Sequence, residues 1–170
     1  MTCNSSACAF FLVILLLPFS IVFPSFFDNS VKDNLLLIKE IHGQYTFKES
    51  IDILLVLDSS GSMKEEFETG ISKKDALKST ATSFIKSIPP DGSIVMGVIE
   101  FSDEAKITVY PISINSESNQ EKIIEGISDT CNGGTNIAVA LTEATSLLKR
   151  SVRDSSKVII LISDGLPNLP

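Results

Sequence analysis

From residue 51 onward the chain alternates between short apolar runs and stretches in which apolar residues recur every three or four positions. Residues 51–57 (IDILLVL) are almost wholly apolar, the pattern of a strand buried on both faces of a parallel sheet. A polar loop from Asp58 to Lys74 follows. Leu77, Ala81, Phe84, Ile85 and Ile88 then fall on one face of a predicted helix, which Pro89-Pro90-Asp91-Gly92 ends. Residues 94–101 read as a second apolar strand. After the turn Ser102-Asp103-Glu104, residues 105–110 alternate, with Ile107 and Val109 set against Lys106, Thr108 and Tyr110. A strand, a tight turn and an alternating strand predict a hairpin whose second member is an antiparallel edge strand with one wet face. Ser118 with Glu121 three residues on predicts a capping box opening a short helix through Glu125. Ile137, Leu141, Ala144 and Leu148 mark a further helix after Gly133-Gly134, and residues 158–162 (VIILI) are again a buried strand.

Strands alternating with helices predict an α/β fold, a doubly wound, mostly parallel sheet with one antiparallel edge strand. In such sheets ligands bind beyond the carboxyl ends of the strands, where the strand order reverses. The residues to inspect are therefore those just after Leu57 and just after Ile162.

The first 27 residues follow a different pattern. None of the charged side chains lies there, and six of the ten Phe do. After a short tail (residues 1–8), residues 9–27 (AFFLVILLLPFSIVFPSFF) are close to the ~20 apolar residues that a bilayer-crossing helix needs. Nothing basic precedes the run and no small-x-small site follows it, which favours an uncleaved anchor over a signal peptide. Pro18 and Pro24 are tolerable in a membrane helix. Lys32 and Lys39 follow the segment and lean weakly toward the body inside. Residues 28–50 form a connector with a turn at His42-Gly43-Gln44, and residues 51–170 form the globular domain.

Composition narrows the chemistry of that body. The net charge is −7 and the pI ≈ 4.7, without the basic footprint that nucleic-acid binding requires. A single His, in the connector, leaves a zinc site or a Ser-His-Asp triad without its parts. Cys131 is the one thiol of the body, because Cys3 and Cys8 belong to the head; without a basic neighbour in sequence it reads as a reduced structural or surface thiol. Neither GxxxxGK[ST] nor GxGxxG is present, so a nucleotide site has no support. Glu65, Glu66 and Glu68 read as a solvated face, and Met63 as a core or rim residue.

Both predicted strand ends carry the same kind of side chain. Asp58-Ser59-Ser60-Gly61-Ser62 follows the first strand, Ser163-Asp164-Gly165 follows the last, and Gly133-Gly134-Thr135-Asn136 leads into a helix between them. Two carboxylates and several hydroxyls, with no imidazole or thiol, suit Mg²⁺, Mn²⁺ or Ca²⁺ and not zinc or copper. Asp58, Ser60 and Ser62 stand at alternate positions, so one tight loop can turn three oxygens toward a point.

This set, with the flanking text DILLVLDSSGSM, GGTNIAVAL and KVIILISDG, resembles the metal-ion-dependent adhesion site of von Willebrand factor type A domains. The resemblance covers roughly residues 51–170 and implies a Rossmann-like fold, incomplete at its C-terminus relative to the family. It implies that Ser60, Ser62 and Thr135 offer hydroxyls to a Mg²⁺ ion (or Mn²⁺ or Ca²⁺), and that Asp58 and Asp164 coordinate it directly or hold its waters. It also implies an open coordination position filled by an acidic side chain of a partner protein. The expectation is a membrane-anchored, non-enzymatic, cation-dependent protein-binding module, held by residues 9–27 with its body outside the cytoplasm, or alternatively secreted. An accessory subunit of an ATP-driven chelatase or chaperone-like complex, or a non-functional fragment, are the competing expectations. Either the chain is a fragment or truncated product, or something else covers the apolar edge of residues 158–162, because an open edge invites aggregation.

Overall fold

Where the apolar runs of the body predict strands, strands form. The computed structural model describes residues 10–16, 50–68 and 70–165. In chain order these build β1 (Phe10–Leu16), β2 (Ile51–Asp58), a 3₁₀ turn (Gly61–Lys64), β3 (Glu66–Glu68), β4 (Ile71–Ser72) and α1 (Lys73–Ser87). They continue with β5 (Ile94–Phe101), β6 (Ala105–Ser113), α2 (Glu117–Glu125), α3 (Ile137–Lys149) and β7 (Ser156–Ser163). The main sheet has the order β1-β7-β2-β5-β6, parallel except at β6, and β3-β4 is a separate antiparallel pair.

β2 is the hub. It is flanked on both sides and buried along all but its first residue. Its side chains alternate between two cores. Ile53, Leu55 and Leu57 join Leu77, Ala81 and Ile85 of α1 and Ile123 of α2 on one face. Leu54 and Val56 join Ala140, Ala144, Leu147 and Leu148 of α3 on the other. A continuous apolar run is what a strand sandwiched between helix layers demands. Met63 belongs to the first core, fully buried. The chain leaves β2 toward β5 and β6 and later returns to β7 on the opposite side. The strand order thus reverses around β2 and opens a crevice at the carboxyl ends of β2 and β7.

β6 is the expected antiparallel edge, and it tolerates Pro111 because one side of an edge strand needs no ladder donor. α1 opens on a capping box in which the Ser72 hydroxyl accepts from the Asp75 amide and the Asp75 carboxylate accepts from the Ser72 amide. The expected box at Ser118 and Glu121 does not form. Ser116 caps α2 instead, its hydroxyl accepting from the Asn119 amide; the serine that sits in extended backbone just before the first turn is the one that can cap. The stretch expected as a polar loop up to Lys74 holds the 3₁₀ turn and the β3-β4 hairpin.

The N-terminal segment departs from expectation. Part of the stretch expected as a bilayer-spanning or signal helix, Phe10–Leu16, is a strand in parallel register with Lys157 to Ser163 of β7. It covers the edge of β7 that needed covering. The same residues cannot be in this sheet and in a membrane helix at once. Among the described residues no helix is long and apolar enough to cross a membrane. The rest of 9–27, the tail 1–8, the connector up to residue 49 with His42, and residues 166–170 lie outside the described residues.

Candidate functional site

Three chain reversals meet at the carboxyl ends of the parallel strands. Asp58 is the last residue of β2, Asp164 follows β7 directly, and Thr135 lies just ahead of α3. Asp58 is fully buried, and both its oxygens are engaged: Oδ1 accepts from the Ser60 amide at 2.7 Å and Oδ2 from the Ser163 hydroxyl at 2.5 Å. The first bond closes the turn after β2 and aims Ser60 and Ser62 together. The second ties the turn to the end of β7, which places Asp164 opposite.

The hydroxyl and carboxylate oxygens form a chain with even spacing. Ser60 Oγ lies 3.1 Å from Ser62 Oγ, and Ser62 Oγ donates to Asp164 Oδ1 at 3.1 Å. Ser60 is nearly fully buried, and so is Thr135. An octahedron with metal–oxygen distances of ~2.1 Å has adjacent oxygens about 3.0 Å apart; the two spacings match such an edge and are equally those of ordinary hydrogen bonds. Among the described residues no group of three or more His, Cys, Asp or Glu stands together, which leaves mixed hydroxyl and carboxylate donors as the chemistry on offer.

The Thr135 loop is fastened to the Asp58 loop through the backbone. Gly61 N donates to the Gly133 carbonyl at 3.0 Å, and Asn132 N donates to the Ser59 carbonyl at 2.8 Å. Gly133 has φ +71°, a conformation that costs an L side chain, and a Cβ there would run into the Asp103 carboxylate. Asp103 needs that space because its Oδ1 accepts from Gly134 N at 2.8 Å. Asn136 caps α3 by accepting from Val139 N, while its own amide donates to the Ser102 carbonyl at 2.8 Å. The β5-β6 turn therefore holds Thr135 at the mouth of α3.

Other groups come to the site that motif reasoning did not find. Lys73 Nζ lies 2.7 Å from Asp164 Oδ2 and 2.6 Å from Glu65 Oε2. Burial pulls the Lys73 ammonium toward losing its proton, but hydrogen bonds to Asp164 and Glu65 outweigh this and hold it above the usual lysine range. Glu65, expected on a solvated face, is 64% exposed yet reaches inward to that lysine. Beneath the Thr135 loop, Glu100 is buried and accepts from Lys74 Nζ at 2.8 Å, from Ser128 N at 3.1 Å and from the Ser128 hydroxyl at 2.6 Å. Cys131 is a buried free thiol, its proton held more tightly because burial disfavours the thiolate. Two lysines in a row just before an apolar helix face were the visible signal for Lys73 and Lys74; nothing local to them revealed their partners.

The family model described as von Willebrand factor type A domain matches residues 53–166. A 117-residue stretch is 31% identical to calcium-activated chloride channel regulator 3A-1 of Mus musculus, covering 68% of this chain and 12% of that protein. The fold is similar to that of the pilus adhesin SpaC of Lactobacillus rhamnosus GG, with TM-score 0.63 and 26% identity over 73% of this chain and 16% of that one. It is also similar to the PilB minor pilin of Streptococcus sanguinis, with TM-score 0.64 and 26% identity over 74% of this chain and 32% of that one. The chain thus corresponds to well under two thirds of each of these longer proteins.

Proposed function

The chain belongs to the von Willebrand factor type A family, and from that premise we propose that it is a non-enzymatic protein-binding module whose partner contact depends on a divalent cation. The observation that carries this reading is the convergence of Asp58, Ser60, Ser62 and Asp164 at the crevice around β2 and β7, with neighbouring oxygens 3.1 Å apart. Ser60, Ser62 and Asp164 would hold Mg²⁺ or Mn²⁺, joined by Thr135. Asp58 orders the loop through the Ser60 amide and the Ser163 hydroxyl. An ion bound mostly by neutral hydroxyls stays electron-poor and supplies a position for a carboxylate of the partner. The pilus adhesin among the similar structures supports a protein-interaction or adhesion role.

The test is a thermal melt of the full chain with Mg²⁺, with Mn²⁺ and with EDTA. A ligand of the native state at 100 times its Kd stabilises by about 2.7 kcal/mol, so a rise in Tm with metal is expected. Ser62→Ala and Thr135→Val are expected to melt cooperatively in EDTA and to lose the rise. A Tm that ignores metal at millimolar concentration overturns the reading.

A further inference from the structure

One cation already stands inside the candidate site. The Lys73 side chain is 10% exposed and that of Asp164 5%, so their ion pair is largely out of water. Asp164 divides its oxygens: Oδ1 accepts from the Ser62 hydroxyl, and Oδ2 faces the ammonium at 2.7 Å. The carboxylate that the site offers to an ion is therefore already paired with a positive charge. Like charges sharing one carboxylate at a few ångströms repel strongly where water is excluded.

The placement of Lys73 is built in. It is the first residue of α1, at the helix end whose dipole disfavours a cation, so helix preference does not account for it. Its backbone N donates to the Glu65 carbonyl at 2.9 Å, which closes the base of the β3-β4 hairpin and brings the Glu65 carboxylate to the same ammonium. The lysine thus sits between one carboxylate of the site and one carboxylate of the hairpin.

We propose that Lys73 sets the affinity of this site for divalent cations: its ammonium competes with the metal for Asp164, and Glu65 weakens that competition by drawing the ammonium toward the hairpin. The inference rests on the metal-binding reading above and deepens it. A lysine is a compact charge on a flexible stem, so it can give up Asp164 and keep Glu65 without any movement of the helix.

The experiment is a calorimetric titration of the full chain with Mn²⁺ and with Mg²⁺, comparing wild type, Lys73→Met, Glu65→Gln and the double variant, with the metal-free Tm of each recorded. Lys73→Met is expected to bind at least 10-fold more tightly, and Glu65→Gln at least 3-fold more weakly. The Glu65→Gln effect is expected to shrink in the Lys73→Met background, the signature of coupling through the lysine. Lys73→Gln removes the charge while keeping a donor and carries the same expectation if Lys73→Met does not fold. Should neither fold, Glu65→Gln decides, and an unchanged Kd there overturns the inference. Equal Kd values for wild type and Lys73→Met also overturn it and leave the metal-binding reading standing, as does weaker binding by a Lys73→Met protein that melts like wild type. Binding by Lys73→Met alone supports it, and binding by neither protein overturns both readings.

Discussion

At the scale of single residues, the site depends on a few atoms that have no alternative position. Gly133 is one. Its φ of +71° costs an alanine roughly 1–2 kcal/mol, and the added Cβ would displace the Asp103 carboxylate that holds the Gly134 amide. Gly133→Ala is therefore expected to lower stability by at least ~1 kcal/mol in urea unfolding and to abolish the metal-induced rise in Tm, because the Thr135 loop moves with it. A variant that keeps both would show that this loop does not need its present shape. The five candidate site residues could be picked out in the sequence because each motif is local, a few residues at the end of one strand or the start of one helix. Lys73 and Glu65 could not, since the contact of Lys73 with both Glu65 and Asp164 is created by packing a hairpin and a helix against the end of a distant strand.

At the scale of elements, legibility followed the length of the pattern. β2, β5 and β7 are runs of five or more apolar residues with nothing else to become, and the helix faces repeat over three turns. The β3-β4 hairpin consists of strands of three and two residues, too short for any alternation to register. The cap of α2 was misplaced by two residues because two serines compete and only backbone shape separates them. The N-terminal run posed a different ambiguity: an uncharged apolar stretch suits a bilayer, and part of it also suits a strand beside β7. Its pairing with β7 leads to a direct test. Removing residues 1–17 leaves the outer ladder of β7 without a partner, and exposed strand edges template association. The shortened protein is expected to elute as aggregates in size-exclusion chromatography where the full chain elutes as a discrete species. A monomeric, cooperatively melting product would show that β1 is dispensable.

For the molecule as a whole, polar groups anchor both ends of the sheet. At the end away from the candidate site, Asp52 of β2 and Lys157 of β7 are register neighbours, 2.6 Å apart and both 3% exposed. Arg153 adds a second cation at 3.3 Å, and the Lys157 ammonium also donates to Ser155, Ser151 and the Arg153 carbonyl. Burial alone would raise the Asp52 pKa, but the bonds from Lys157, Ser151 and Ser155 prevail and hold it below the usual carboxylate value of 3.8. A depressed folded-state value means stability that is present above the unfolded-state value and is lost as pH falls through the folded one. Wild type is therefore expected to lose unfolding free energy as pH is lowered from about 5 toward 2. Asp52→Asn, less stable at neutral pH, is expected to show a shallower decline in urea titrations. Parallel slopes for the two proteins would remove Asp52 from the acid response.

The position of β2 between β5 and β7 also has a consequence in time. β2 and β5 are complete once residue 101 has been made, but the other flank of β2 waits for residues 156–163. At 5–20 residues per second of synthesis, roughly 5–20 s separate the emergence of β2 from that of its second neighbour. During that interval the hub strand is half-dressed, and the loop that bears Asp58 has no Ser163 or Asp164 to meet. The newborn chain can shape half of the crevice early, yet the crevice is complete only once β7 has been made.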